Sequence, residues 1–375
     1  MTVGLGVSIG TVNTVCAVST TGGDAKGRAR SGPPVTWRTT LTFDSTGTAR
    51  VGRIPRHGRA ITEFADLTQR TAPTARVGHR ALSAADLVAT VAESVIRQVL
   101  AAKPDAGVSI TITHPIAYPA ERVADLRYAL DSVGLAQSRL VAEPIAATAW
   151  LEAQHGPLMP GLTLVYDLGG SGLTVTLVRV GAGCPVNPIV GEPVRSTAFG
   201  GRAFGALMAR QAHWGATDAP TLVGVLSDAM ITELRATHIR QSLGLVYECL
   251  RIADVTMADV DRVLVVGGAA RPPEVAGLLG DALARPVFVA RDPERTIADG
   301  AAILACRAAA APGRIAYRRI VWIGSARLRR RLTRAAVTTA VAVAGALFAA
   351  TAVASDGPGS VVIDAGGVCI VAPAH

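Results

Sequence analysis

One pattern occurs twice in this chain and limits its fold more than any other. Val3, Leu5, Val7 and Ile9 alternate with Gly4, Gly6 and Ser8; Gly10-Thr11-Val12-Asn13 then turns, and Thr14 to Val18 runs back. Leu162, Leu164, Tyr166 and Leu168 alternate in the same way, Gly169-Gly170-Ser171-Gly172 turns, and Leu173, Val175 and Leu177 run back. Period-two alternation marks a strand, so each stretch predicts a hairpin with glycine at its tip. Two such units in 375 residues predict a duplicated, two-lobed α/β architecture with a ligand between the halves.

The intervening signals fit that plan. Ser83-Ala84-Ala85-Asp86 resembles a capping box, and Leu87, Val88, Val91, Val95 and Val99 mark one helical face. Val108, Ile110 and Ile112 alternate as a strand that stops at His114-Pro115. Glu121 to Val133 reads as a helix closed by Gly134; Leu140-Val141 is a short strand, and Glu143-Pro144 opens the next helix. Further on come a long helix near 231–253, a buried strand over Val263 to Val266, Gly267-Gly268 with a helix to Leu283, a strand at 287–289 and a last helix at 297–306. From Thr20 to Ala81 the signals are weak, with a strand-like piece at Thr40 to Phe43.

Charge is unevenly spread. The chain's formal charge is +9, yet residues 314–334 hold eight arginines and no acid, and the remainder is close to balanced. A basic run beside an apolar stretch meets lipid headgroups rather than bases, and no nucleic-acid motif accompanies it, so nucleic-acid binding is excluded. Ala335 to Ala354 carries no charge and no proline in 20 residues, the length of a single transmembrane helix. The arginines precede it and none follow, which predicts a single-pass cell-membrane protein with its N-terminal part cytoplasmic and 355–375 outside. Trp322 would be an interfacial anchor, and the start of the chain carries no signal-peptide pattern. Cys16, Cys184, Cys249, Cys306 and Cys369 stand far apart, which argues against zinc or a redox dithiol; Cys369 could be free or paired outside.

A glycine-tipped hairpin can aim backbone N–H groups at an anion, and two facing hairpins can clamp one polyphosphate. Five segments taken together resemble the nucleotide-binding domain of Hsp70 chaperones, members of the actin-like ATPase superfamily with its ribonuclease H-like fold. They are Gly6 to Asn13, Val141 to Ala147, Val165 to Gly172, Val265 to Pro273 and Ala298 to Ala302, in matching order over Met1 to about Cys306. The resemblance implies ATP or ADP with Mg²⁺ as cofactors. It puts Gly10, Thr11, Val12 and Asn13 on the β- and γ-phosphates, and Gly169, Gly170 and Ser171 opposite them. Gly200 and Gly201 would lie near the ribose and phosphates, and Gly267, Gly268 and Arg271 at the adenosine, with Arg271 stacked on the base. Asp167 would hold Mg²⁺ through water, and Glu143 and Thr11 would complete the catalytic set. The division implied is lobe I at 1–145, lobe II at 146–307, an arginine-rich linker at 308–334, the membrane helix at 335–354 and a tail at 355–375.

Departures from the family pattern are specific. Ser8 stands where the family has an aspartate, and Gly172-Leu173-Thr174 replaces threonine, an aromatic and aspartate. Arg202 and Gly205 stand where acids are expected. The family's first-lobe lysine has no counterpart near Phe64 to Arg70, because the chain's two lysines are Lys26 and Lys103. The stretches before Thr111 and from Gly201 to Val263 are shorter than the family's, and no peptide-binding β-sandwich is expected to follow. These features imply a membrane-anchored nucleotide-dependent regulator or scaffold, a pseudo-ATPase with weak or no hydrolysis, whose protein partner is unknown. The alternatives are a slow ATPase with a chaperone-like role, or an actin-like scaffold of a cell-envelope or secretion machine. A sugar-kinase-like phosphotransferase ranks low because no motif assigns it a carboxylate base.

Overall fold

The computed structural model describes residues 2–21, 30–31, 34–44, 47–54, 60–69, 74–77, 80–101, 107–214 and 226–310. Its strands are β1 (Thr2–Ile9), β2 (Asn13–Thr21), β3 (Arg30–Ser31), β4 (Val35–Arg38), β5 (Leu41–Phe43), β6 (Ala49–Val51), β7 (Ala75–Val77), β8 (Arg80–Leu82), β9 (Val108–His114), β10 (Arg139–Ala142), β11 (Gly161–Leu168), β12 (Leu173–Val180), β13 (Ile189–Ser196), β14 (Val260–Val266) and β15 (Val287–Val289). Its helices are α1 (Ala84–Ala101), α2 (Ala120–Ser132), α3 (Glu143–His155), α4 (Gly201–Trp214), α5 (Asp228–Ile252), α6 (Pro273–Leu283) and α7 (Thr296–Ala310).

The two predicted hairpins lead two sheets built on one plan. The first sheet runs β10–β9–β1–β2–β3, with β4 also on β2; the second runs β13–β12–β11–β14–β15. In each, the leading strand has an antiparallel partner on one side and parallel strands on the other. The second sheet is covered on both faces. Leu164, Tyr166, Val263 and Val265 pack on Ile239 and Val246 of α5 and Val275 of α6. Val165, Val178, Leu264 and Val266 pack on Ala146 and Trp150 of α3 and Ile297 of α7. That is why β14 is apolar without interruption from Val263 to Val266.

Helix α7 joins the two halves. Its Ile297 and Ala301 belong to the second sheet's core, while Ala298 and Ala302 pack on Val15 and Ala17 of β2. The approach is at backbone distance. A Cβ on Gly6 would overlap the Ala298 carbonyl, one on Gly4 the Ala302 carbonyl, and one on Gly300 the Ala146 carbonyl of α3. The small residues alternating along β1 are therefore the seat of α7.

The long elements match the sequence expectations within a few residues. The capping box forms, with the Asp86 amide donating to Ser83 Oγ (3.2 Å) and the Ser83 amide to Asp86 Oδ2 (2.9 Å). His114 is a part-buried residue at the end of β9, its ring stacked on Tyr118. The strand-like piece at 40–43 is β5, but two features are not foreseen: the other short strands between Val35 and Leu82, and β13, which carries Arg195 into the site described below. Among the described residues no helix is long and apolar enough to cross a membrane. The arginine run, the expected span at 335–354, Trp322, Cys369, Lys26 and Lys103 lie outside the described residues.

Gly300→Ala is expected to lower stability by about 1–3 kcal/mol, because α3 and α7 must part to admit the methyl group. Gly277→Ala, on an α6 position with open space around its Cβ, should instead add about 0.5–1 kcal/mol. Urea midpoints of the two variants test the contrast; equal effects would remove the close-approach argument.

Candidate functional site

Both hairpin tips open on one cleft of about 400 Å³. Each tip closes with the same bond: the Gly10 amide donates to the Asn13 carbonyl, and the Gly169 amide to the Gly172 carbonyl, both at 2.9 Å. Carbonyl oxygens repel an anion, and here several are occupied. Gly169 and Gly170 carbonyls accept from the Gly201 and Arg202 amides (3.0 and 2.9 Å) at the start of α4. The Val12 carbonyl accepts from the Thr39 amide (2.8 Å), and the Gly10 carbonyl from Thr39 Oγ1 (2.7 Å).

The predicted residues converge. Gly10, Thr11, Val12, Asn13, Glu143, Asp167, Gly169, Gly170, Ser171, Gly201, Gly267, Gly268 and Arg271 all line the cleft, with Ser8 beside them. Gly200 sits behind the lining, its φ of +112° and its closeness to the Gly172 amide leaving no room for a side chain. Gly170 has a further constraint: a Cβ there would strike the Val12 side chain, so the two tips already touch. Asn13 Nδ2 donates to Glu294 Oε1 across the cleft (2.6 Å). Arg271 pairs with Asp292 (3.1 Å) and Glu294, which fixes the plane of its guanidinium.

Glu143, at the start of α3, and Asp167, near the end of β11, share the cleft floor. Burial and the Asp167 charge push the Glu143 carboxyl well above the usual carboxylate range, against a smaller opposing pull from Arg195. Burial raises Asp167 too, again opposed by Arg195. Two carboxyls that resist ionising together suit a cation, which would let both ionise. Among the described residues no three His, Cys, Asp or Glu side chains cluster as a closed metal site. The Glu143–Asp167 pair fits Mg²⁺, which takes one or two carboxylates and completes its shell with water and phosphate oxygens.

Sequence reasoning missed Glu294 and two further residues of this cleft. Asp66, in the segment between β6 and β7, lines the cleft and forms a two-pronged ion pair with Arg195 of β13 (2.6 and 3.3 Å). Burial would raise the Asp66 carboxyl, but the bonds from Arg195 and Thr68 together with the Arg195 charge outweigh it and hold the group below its usual value. A second pair, Glu63–Arg202 (3.1 Å), joins the same two regions. The segment expected to lack a lysine therefore carries acids instead, matched by arginines from the second half. Three prolines around β13 hid the strand, and no local pattern announces a pairing 129 residues apart.

Known proteins resemble this chain in two ways. Residues 228–309 match the FGGY family of carbohydrate kinases, C-terminal domain. The chaperone protein HscA of Cronobacter sakazakii is 28% identical over 253 residues, 59% of this chain and 40% of that protein. HscA of Escherichia coli is 27% identical over 228 residues, 52% of this chain and 36% of that one. The matches thus span well under half of these relatives. Together with the mixed α/β architecture, they fit an actin-like ATPase fold and support an Hsp70-like nucleotide-binding protein.

Glu143→Gln tests the floor. A raised carboxyl pKa contributes stability that is present below the unfolded value and is lost as pH rises through the folded one. The nucleotide-free variant should therefore gain stability over the parent as pH goes from about 5 to 8, read from urea midpoints. A pH-independent difference would mean the pair does not share its charge.

Proposed function

We propose that the cleft binds ATP or ADP with Mg²⁺ and that the domain acts as a membrane-anchored, nucleotide-dependent regulator or scaffold that hydrolyses little. One observation carries the nucleotide reading: two hairpins of equal turn geometry, each heading a sheet of the same strand order, meet over a pair of part-buried carboxyls. In this reading Thr11, Glu143 and Asp167 are the catalytic-centre residues, Asp167 faces the metal, and the glycines of both tips hold phosphate. The halves 1–145 and 146–307 act as the two lobes. Mg²⁺ would be held by Asp167, with Glu143 placing its waters, and would neutralise phosphate charge. Ser8 brings no charge to the floor, which supports slow turnover, since phosphoryl transfer depends on positioning and charge neutralisation.

The match at 228–309 contains Gly267, Gly268 and Arg271 but none of the first-sheet residues of the cleft. It therefore supports the adenosine end and does not supply a sugar-accepting one. The HscA names suggest a chaperone-like role, and a slow ATPase is the second reading.

Calorimetric titration of the protein with ATP and Mg²⁺ should show binding, and Gly170→Val should weaken it by about tenfold or more. Unchanged affinity in that variant, with an unchanged melting midpoint, would end the clamp assignment. Phosphate release should stay near the protein-free background; turnover comparable to that of ordinary Hsp70 proteins selects the second reading.

Anchoring is supported by the uncharged stretch 335–354 and the eight arginines before it. Those arginines would also bind anionic headgroups at about 1 kcal/mol each. External protease on spheroplasts should spare the N-terminal domain and remove a C-terminal tag. The reverse pattern inverts the topology.

A further inference from the structure

Three arginines line the cleft, and they are not equivalent. Arg202 and Arg271 have side chains 44% and 49% exposed and serve Glu63 and the Asp292–Glu294 pair. Arg195 is 21% exposed. Its place follows from strand register. Asp167 of β11 pairs with Thr174 of β12, which pairs with Arg195 of β13. The three residues form one row across the second sheet, all lining the cleft. Adjacent strands lie about 4.8 Å apart, so the row puts the Arg195 backbone about 10 Å from that of Asp167. An arginine side chain spans much of that distance.

Its partner comes from the other half of the chain. Asp66 is 4% exposed on a segment fixed by Tyr118, whose hydroxyl donates to the Ala65 carbonyl (2.7 Å) and accepts from the Leu67 amide (3.2 Å). Thr68 Oγ1 accepts a further bond from Arg195 (3.1 Å). The guanidinium is thus held in orientation beside the acidic floor, and its charge is felt by both Glu143 and Asp167.

The geometry points to Arg195 as the cation that grips the terminal phosphates of a bound nucleotide, presented by the second sheet and held ready by Asp66. This rests on the nucleotide reading above. A guanidinium forks onto phosphate as it forks onto carboxylate. A terminal phosphate carries more charge than Asp66 and competes for the same N–H groups. The pair is therefore both a rest position and a competitor, so its two members have opposite effects on affinity.

Opposite effects make the test. Calorimetric titrations of the full chain with ATP, ADP and AMP compare the parent, Arg195→Gln, Asp66→Asn and the double variant. Arg195→Gln should weaken ATP by about tenfold or more, ADP less, and AMP not at all. Asp66→Asn should tighten ATP several-fold. Each single change strands a buried partner and should lower the melting midpoint. The double variant should recover the midpoint yet keep the weak ATP binding. If the parent binds ATP but Arg195→Gln binds all three nucleotides as the parent does, the pair is only a staple between the halves. That outcome overturns this inference and leaves the nucleotide reading standing. An equal shift for ATP and AMP in both single variants does the same. If the parent binds none of the three, the nucleotide reading fails and this inference falls with it.

Discussion

The structure depends on backbone-to-backbone contact at one helix. Helix α7 can sit against β1 only because Gly4 and Gly6 have no side chains, and it can cross α3 only because Gly300 has none. Side chains elsewhere in α7 then face two ways, Ile297 and Ala301 into the second sheet's core and Ala298 and Ala302 onto β2. The first half of the chain is thus completed by a helix of the second. The cleft inherits this, because its two hairpins stand on strands whose separation the helices set.

Electrostatics within the cleft follow a different logic from the packing. The floor holds two carboxyls that do not ionise freely together. The wall holds arginines that come from the second half of the chain and answer acids on the first. A serine at position 8 brings no third carboxyl to that floor. A partly buried ion pair such as Asp66–Arg195 adds little net stability against apolar packing, and its removal on one side is costly. Its value lies in where it holds the guanidinium.

How much of this was legible depends on how local each signal is. The hairpins were legible because alternation and a glycine turn lie among neighbouring residues, and α3 because Glu143-Pro144 marks its first turn. The convergence of Gly10 to Asn13 with Gly169 to Ser171 followed from the duplication. Strand β13 was not legible: it is an edge strand that contains Pro193 and follows Pro185 and Pro188, so its alternation is broken. Asp66 and Arg195 each look ordinary alone, and their meaning lies in a contact no local window contains. Glu294, which receives Asn13 and Arg271, was missed for the same reason.

The seating of α7 on β1 also bears on how the chain is made. The strand that begins at Thr2 waits for a helix that begins at Thr296. At about 5–20 residues per second, the ribosome takes roughly a quarter of a minute to a minute to produce the missing piece. Throughout that interval the Gly4–Gly6 face of the first sheet is uncovered, and contacts closing so long a loop form late. The first half should therefore stay protease-sensitive on a stalled nascent chain until the residues of α7 have left the exit tunnel, and acquire protection abruptly after that.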